Sequence, residues 1–280
     1  MKRLLIVSDF ASPTGFATVS ENIARNLKGK WEIDVLAINY HGDPHPLQKE
    51  FNIFPASLGG DVYGLQRIAS LVASRQYQVI FMLNDMWIIN EYMDRLKGMQ
   101  NVPPIVFYTP VDAKNIKDSF AKPLNRATYG IFYTEFGANE VLKSGFDRPY
   151  SIIPHGIDEK FFHPIPKTLS RKETGIPDDW FVVLMCQRNQ PRKRLDLGLW
   201  MFSEWVKDKP ENIKIYYHGA LRDIGWDIEQ LAAYFGIGDR LIVTSRNMTM
   251  NNMLSKERLK YIYTSSDVFF TPCAAEGLAN

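Results

Sequence analysis

Short, continuous apolar runs recur along the first half of the chain and constrain its fold more than any other feature. They are, in order, "RLLIVS" (3–8), "EIDVLAI" (32–38), "QVIFML" (78–83), "PIVFYT" (104–109), "YGIFYT" (129–134) and "YSIIP" (150–154). Runs this short and continuous predict strands buried on both faces, as in parallel sheets. Helical patterns lie between them: Phe16, Val19, Ile23 and Leu27 share one helical face, and 135–145 ends at a glycine suited to follow a helix. Alternating strands and helices predict a doubly wound α/β domain.

The same pattern then starts again. A second set of runs comprises "FVVLM" (181–185), "IKIYYH" (213–218), "RLIVT" (240–244) and "DVFFTP" (267–272), with Leu195, Leu199, Phe202 and Val206 at helical spacing after the first of them. The stretch 161–180 contains prolines and no clear periodicity, which predicts a linker. We therefore predict two α/β domains, 1–165 and 166–280, facing a cleft between the carboxyl ends of their sheets. The second domain is expected to be incomplete, because the sequence stops where a helix should follow its last strand.

Composition limits the class of protein. The 280 residues are 45% hydrophobic and 23% charged, with a net charge of +2, so the chain is globular and has no broad nucleic-acid surface. The two cysteines match no metal or disulfide spacing and favour a reduced, cytoplasmic setting. No apolar run approaches the roughly 20 residues that span a bilayer, which leaves only peripheral membrane contact open.

A basic cluster follows the first strand of the second domain. Arg188, Arg192, Lys193 and Arg194 lie where that strand passes into a helix. A solvated basic turn is one interpretation; the other is an anion site, because backbone N–H groups and the helix dipole favour negative charge at a helix N-terminus. The equivalent turn of the first domain has only Gly15, which is either an ordinary turn glycine or a point of close approach to a ligand.

Several motifs, in order along nearly the whole chain, resemble those of glycosyltransferase family 4. They are "SDFASPTGFA" (8–17), "YTPVDA" (108–113), "YTEFGANEVLKSGF" (133–146), "IIPHGIDEKFFHP" (152–164), "QRNQPRKRLD" (187–196) and "TPCAAEGLAN" (271–280). The resemblance implies a GT-B fold, in which two Rossmann-like domains hold a nucleotide-sugar donor. It also implies transfer of the sugar to an acceptor with retention of anomeric configuration.

The resemblance assigns roles to particular residues. Arg188 and Lys193 match the basic pair that holds the donor diphosphate, and Asn189 lies beside them in the motif. Gly15 and the adjoining Phe16 match the loop close to the diphosphate. Glu276 matches the first glutamate of the family's E-x7-E motif, beside the donor sugar, whereas the second glutamate would fall beyond Asn280.

Some positions depart from the family pattern. Val111 replaces a histidine that many relatives carry, so Asp112 becomes the candidate for contact with sugar or acceptor, against a structural role in its loop. His155 replaces a more usual asparagine, and we expect it to stabilise its turn. The sequence contains no Asp-x-Asp pair, so no metal and no cofactor other than the donor as co-substrate is expected.

Two functions from different classes follow. The first is a retaining, metal-independent glycosyltransferase, such as a hexosyltransferase, that uses a nucleotide sugar. The alternative is an inactive GT-B-like nucleotide-binding or regulatory module. The acceptor stays open among a glycan, a lipid, a small molecule and a modified nucleic acid, because acceptor loops vary freely on such scaffolds.

Overall fold

A computed structural model describes residues 1–249 and 254–275 of the chain. The described residues divide into two compact units, Met1–Gly156 and Ile157–Ala275. The boundary that the sequence predicts, 165/166, lies between the end of the first unit and the next helix of the chain. Each unit is described by itself below.

The first unit is built on a seven-stranded parallel sheet with the strand order β3-β2-β1-β4-β5-β6-β7. Its strands are β1 (Lys2–Asp9), β2 (Trp31–Ile38), β3 (Asn52–Pro55), β4 (Val79–Leu83), β5 (Ile105–Thr109), β6 (Tyr129–Phe132) and β7 (Tyr150–Ile152). The central strand β1 is buried on both faces, with Leu5, Ile6 and Val7 fully inaccessible. This explains why its sequence is a continuous apolar run and not an alternating one.

The second unit repeats the same winding on a smaller scale. Its four-stranded parallel sheet has the order β10-β9-β8-β11, formed by β8 (Phe181–Cys186), β9 (Ile213–His218), β10 (Leu241–Val243) and β11 (Val268–Phe269). In both units the first strand is central and the chain winds outward from it in two directions. The predicted doubly wound architecture is confirmed in each unit.

Helices connect the strands. In the first unit they are α1 (Gly15–Leu27), α2 (Ile68–Ser74), α3 (Met86–Arg95), α4 (Asp118–Ala121) and α5 (Glu135–Lys143); in the second they are α6 (Lys167–Thr174), α7 (Leu195–Trp205), α8 (Ile228–Tyr234) and α9 (Lys256–Ser265). No helix in the described ranges is long and apolar enough to cross a membrane.

Local signals explain the ends of α5. The Thr134 hydroxyl accepts a hydrogen bond from the Gly137 N–H at 3.0 Å, which caps the helix N-terminus. Gly145 has a φ of +94°, and the N–H groups of Gly145 and Phe146 donate to the Leu142 and Val141 carbonyls at 3.0 and 3.2 Å. This is a Schellman motif, so the glycine predicted to follow the helix is confirmed.

The apolar helical faces were predicted with unequal success. All four residues of the predicted stripe on α7, including Val206 just past its end, are at most 4% exposed. On α1 the deepest residues are Ala17, Ser20 and Ala24, while the predicted stripe is half-buried at its side. Small residues face the sheet there because the helix lies close to it.

The predicted linker at 161–180 is wrong, because it contains α6. The helix has no apolar stripe, and its buried residues are Ser170 and Arg171. It ends at Gly175, whose left-handed φ of +71° closes the last turn. Hydrophobic periodicity therefore gave no signal for it.

Arg171 stabilises α6 through polar contacts with the rest of its unit. Its side chain is 5% exposed and pairs with the Asp267 carboxylate at 2.9 Å. The guanidinium also donates to the backbone carbonyls of Pro177, Asp178, Trp180 and Ser265. These contacts join the helix to the segments that precede β8 and β11.

Candidate functional site

The basic cluster of the second unit forms the turn between β8 and α7, at the carboxyl edge of the sheet. A short 3₁₀ helix, Pro191–Lys193, lies within this turn, and α7 begins at Leu195. The sequence prediction of a strand-to-helix junction at this point is confirmed. The Asp196 carboxylate already accepts hydrogen bonds from the N–H groups of Asp196 and Leu197 in the first turn of α7. Because the helix dipole favours negative charge at this end, the added cations make the turn suited to a phosphate group.

Arg188 is held in place by an acidic residue from the neighbouring loop. Its Nε lies 2.8 Å from Asp223 Oδ2 and its Nη2 lies 3.5 Å from Asp223 Oδ1. The Arg188 side chain is 43% exposed, whereas that of Asp223 is 13% exposed. The Arg188 guanidinium keeps the pKa of the Asp223 carboxyl below its usual range.

Asn189 is a buried connector between two loops. Its side chain is fully buried, and Nδ2 donates to the carbonyls of Leu221 and Trp226 at 3.1 and 2.6 Å. Its Oδ1 accepts a hydrogen bond from the Trp226 N–H at 2.9 Å. Asn189 therefore has a structural role in this conformation, and the direct donor contact predicted for it stays a prediction that requires these bonds to rearrange.

Lys193 is buried in the same turn, with 7% of its surface exposed. Its backbone carbonyl accepts a hydrogen bond from Gln187 Nε2 at 3.2 Å, and Gln187 Oε1 accepts one from the Thr271 hydroxyl at 2.9 Å. The turn is thereby fixed to the segment that follows β11. The chain places this lysine in the turn that leads to the N-terminus of α7, a position where an anion is favoured.

The segment after β11 also contacts Arg192. The Arg192 Nη1 donates to the Ala275 carbonyl at 2.6 Å, and its own carbonyl accepts a hydrogen bond from the Ala274 N–H at 2.9 Å. Glu276, the residue predicted to act on the donor sugar, lies outside the described residues, so its role stays a prediction.

In the first unit, Gly15 and Phe16 are the first two residues of α1, directly after the turn that follows β1. The Thr14 side chain caps this helix, accepting from the Ala17 N–H at 3.1 Å and donating to Asp9 Oδ2 at 2.6 Å. Asp9 is 5% exposed, and burial raises the pKa of its carboxyl. Gly15 is exposed at a helix N-terminus, which fits the predicted approach of an anionic group and does not test it.

Asp112 lies in the loop after β5 and is exposed, at the same carboxyl edge as Gly15 and Phe16, with β4 between their strands. Val111, which replaces the family histidine, is 3% exposed and belongs to the main hydrophobic core of the unit. A Cβ added to Gly137 would lie 2.9 Å from Val111 Cβ, so α5 packs closely against this valine. The predicted contact of Asp112 with sugar or acceptor stays a prediction.

Backbone strain occurs in two strand-to-helix turns, β1–α1 in the first unit and β8–α7 in the second. The described residues other than glycine with positive φ are Asn39, Asn101, Asn115, Ala11 (φ +56°) and Arg194 (φ +49°). Asparagine tolerates this region, but alanine and arginine adopt it rarely. Those two residues lie in the β1–α1 and β8–α7 turns, and strained residues tend to cluster at functional sites. No sequence signal indicates this feature.

Two histidines, His155 and His218, take structural positions in the units that contain them. The ring centroid of His155 lies 4.1 Å from that of Tyr133 and 5.5 Å from that of Tyr108, so it packs at the end of the first unit's sheet. His218, at the end of β9, is 5% exposed and its Nδ1 lies 2.8 Å from the Thr244 hydroxyl. Burial lowers the pKa of His218 to about 4.

Known proteins share part of the sequence of this chain or its fold. No protein-family model matches the chain. Over 97 residues, 32% of this chain, it is 33% identical to the D-inositol 3-phosphate glycosyltransferase of Geodermatophilus obscurus, and the match covers 22% of that protein. The chain thus aligns with about a fifth of this curated relative's length.

Solved structures match over the whole chain. Sucrose-phosphate synthase from Thermosynechococcus elongatus is similar with a TM-score of 0.76 and 15% identity, covering 100% of this chain and 77% of that one. Anabaena HepE in complex with UDP and glucose is similar with a TM-score of 0.70 and 14% identity, covering 99% and 76%. At this identity the similarity shows a shared fold.

Proposed function

We propose that the chain is a glycosyltransferase that uses a nucleotide sugar and retains the anomeric configuration. The chain has the fold of the GT-B glycosyltransferases, and its motifs fit those of family 4. The observation that carries the proposal is the β8–α7 turn, which contains both Arg188 and the buried Lys193 and leads to the N-terminus of α7. HepE, a structural neighbour, binds UDP and glucose. A UDP-hexose is therefore the donor that we propose for this chain.

The proposed chemistry needs stabilisation of a leaving diphosphate. When the bond between the sugar C1 and the diphosphate oxygen breaks, the electron pair stays on the diphosphate. Fixed cations aimed at that charge are the preorganised electrostatic stabilisation that lowers such barriers most. Arg188 offers a planar guanidinium for two phosphate oxygens, and Lys193 offers a point charge.

In this proposal Glu276 contacts the donor sugar and Asp112 contacts sugar or acceptor. The first unit contributes Gly15 and Phe16, whose N–H groups, at the start of α1, lack intrahelical partners by helix geometry. No metal is required, since Arg188 and Lys193 supply positive charge to the diphosphate. The supporting contacts are those of the second unit, which fix the β8–α7 turn from two sides.

An assay without acceptor tests the proposal. The chain is incubated with UDP-glucose, and proton NMR follows release of UDP and glucose, with water as the acceptor. We expect slow release that yields α-glucose first, because UDP-glucose carries an α linkage and the configuration is retained. Early β-glucose would contradict retention, and no release together with no UDP binding would contradict the transferase proposal.

A further inference from the structure

The loop between β9 and α8, residues 219–227, is hydrogen-bonded to the basic turn inside the second unit. Besides the side-chain bonds of Asn189, the Gly225 N–H donates to the Asn189 carbonyl at 3.2 Å. A Cβ on Gly225 would lie 2.1 Å from Asn189 Oδ1 and 3.1 Å from the Asn189 backbone, so a side chain at this position would clash with the Asn189 amide. Asn189 therefore fixes the position of this loop relative to the turn.

Asp223 lies on the loop that Asn189 fixes. Its carboxylate is mostly buried, whereas its partner Arg188 is half exposed. The Ile224 N–H also contributes to the low pKa of the Asp223 carboxyl, which shows that the loop backbone favours the charged form. The more buried member of the pair is thus the acid, which is bonded both to the loop backbone and to the arginine.

The Asp223 carboxylate contacts one edge of the Arg188 guanidinium. Asp223 engages Nε at 2.8 Å and Nη2 at 3.5 Å. A guanidinium has five N–H donors, and this side-on pairing does not engage Nη1 or the second hydrogen of Nη2. Those are the donors that grip two oxygens of a phosphate end-on.

We propose that Asp223 is a positioning residue for nucleotide-sugar binding: carried on a loop fixed by Asn189, it presets Arg188 so that the Nη1–Nη2 end of the guanidinium accepts the donor diphosphate. The inference rests on the proposed function. The opposite role is competition, in which Asp223 occupies Arg188 and a diphosphate must displace it. The two roles predict opposite signs for the effect of removing the carboxylate.

The test is calorimetric titration of the full chain with UDP and with uridine. Asp223→Ala should weaken UDP binding by about tenfold, the scale of one charge-assisted hydrogen bond, and leave uridine binding unchanged. Asp223→Asn keeps an oxygen acceptor for Arg188 Nε, so its loss should be smaller. Glu204→Ala, which breaks the exposed pair between Glu204 near the end of α7 and Lys207 just after it, is the matched control and should change neither affinity.

A double-mutant cycle separates orientation from general disturbance. In an Arg188→Ala background, Asp223→Ala should change UDP affinity by less than about twofold, because there is no guanidinium left to orient. An equal loss in both backgrounds would overturn the inference, and so would tighter UDP binding by Asp223→Ala or Asp223→Asn, which is the result that competition predicts. Should Asp223→Ala fail to fold, the same cycle is run with Asp223→Asn.

The outcomes also separate this inference from the proposed function. A wild-type chain that binds UDP no more tightly than uridine overturns the proposed function, and the inference with it. A wild-type preference for UDP that is lost in Arg188→Ala but kept in Asp223→Ala overturns the inference alone.

Discussion

Replacement of Asn189 by alanine distinguishes a structural role of this residue from direct contact with the donor. We predict that Asn189→Ala lowers the free energy of unfolding of the second unit. The change removes the fully buried amide, leaving the Trp226 N–H and the carbonyls of Leu221 and Trp226 without their side-chain partner. Each orphaned buried group costs about 1–3 kcal/mol. Water can reach part of the site beside the half-exposed Trp226, so we expect a total loss of about 2–4 kcal/mol.

Urea unfolding, followed by tryptophan fluorescence, measures this loss. Asn26→Ala is the control, because its exposed amide bonds only to the Asn22 carbonyl one turn earlier in α1, and it should change stability by less than about 0.5 kcal/mol. UDP affinity is measured on the same samples. If Asn189 acts mainly by direct contact with the donor, Asn189→Ala loses affinity with its stability intact. A loss of stability below about 1 kcal/mol would therefore refute the structural role.

Three further predictions concern other residues. Arg171→Met should destabilise the second unit by about 2–4 kcal/mol, because it leaves several backbone carbonyls without their donor and removes one of two cations from Asp267, which keeps Lys167 and the Val182 N–H. Lys172→Met, on the exposed side of α6, should stay within about 0.5 kcal/mol, and equal urea midpoints for the two variants would contradict this. Burial lowers the pKa of His218 to about 4, so as the pH falls below about 6.5 the unfolded state binds a proton at this residue before the folded state does. The free energy of unfolding of wild type should therefore fall by about 3 kcal/mol between pH 7 and pH 4, and that of His218→Gln should not fall for this reason. Parallel pH profiles of the two proteins would contradict this prediction. Glu276→Gln should leave UDP affinity nearly unchanged and slow UDP release from UDP-glucose by about tenfold, or 1.4 kcal/mol in the barrier; an equal loss of UDP affinity would show that Glu276 contacts the diphosphate.

The sequence predicts most of the sheet architecture because parallel strands bury both faces. The runs that become β1, β2, β4 and β5 are mostly apolar, with Asp34 of β2 a buried exception, so strand identity and winding follow from local composition. The edge strand β3 (Asn52–Pro55) has no such run: it is short, half-buried and ends in proline. Its pairing with β2 is set by tertiary context.

Helix α6 and the role of Asn189 could not be predicted for a related reason. Both depend on hydrogen bonds between residues far apart in sequence: Arg171 reaches Ser265 and Asp267, and Asn189 reaches Trp226. Hydrophobic periodicity does not register such contacts. Asp223 was missed because an isolated aspartate in a loop has no motif until the fold brings it to Arg188.

The location of the basic turn was predictable, since charge concentrated between a strand and a helix is visible in the sequence. The conformation of the turn could not be predicted from the sequence. The turn has a left-handed residue, Arg194, and a buried lysine, Lys193, and it is hydrogen-bonded to the segments after β9 and β11, which lie far from it in sequence.

The measurement that tests the central claim most directly is the ratio of UDP affinity to uridine affinity in wild type and in Lys193→Ala. If the β8–α7 turn binds the donor diphosphate, wild type should prefer UDP by at least about tenfold, since each charge-assisted contact contributes roughly 1.5–3 kcal/mol. Lys193→Ala should lose most of that preference, whereas Lys207→Ala, which removes an exposed lysine just after α7, should keep it. EDTA should leave all the ratios unchanged. Equal affinity of wild type for UDP and uridine, or a preference that Lys193→Ala retains in full, would contradict the account.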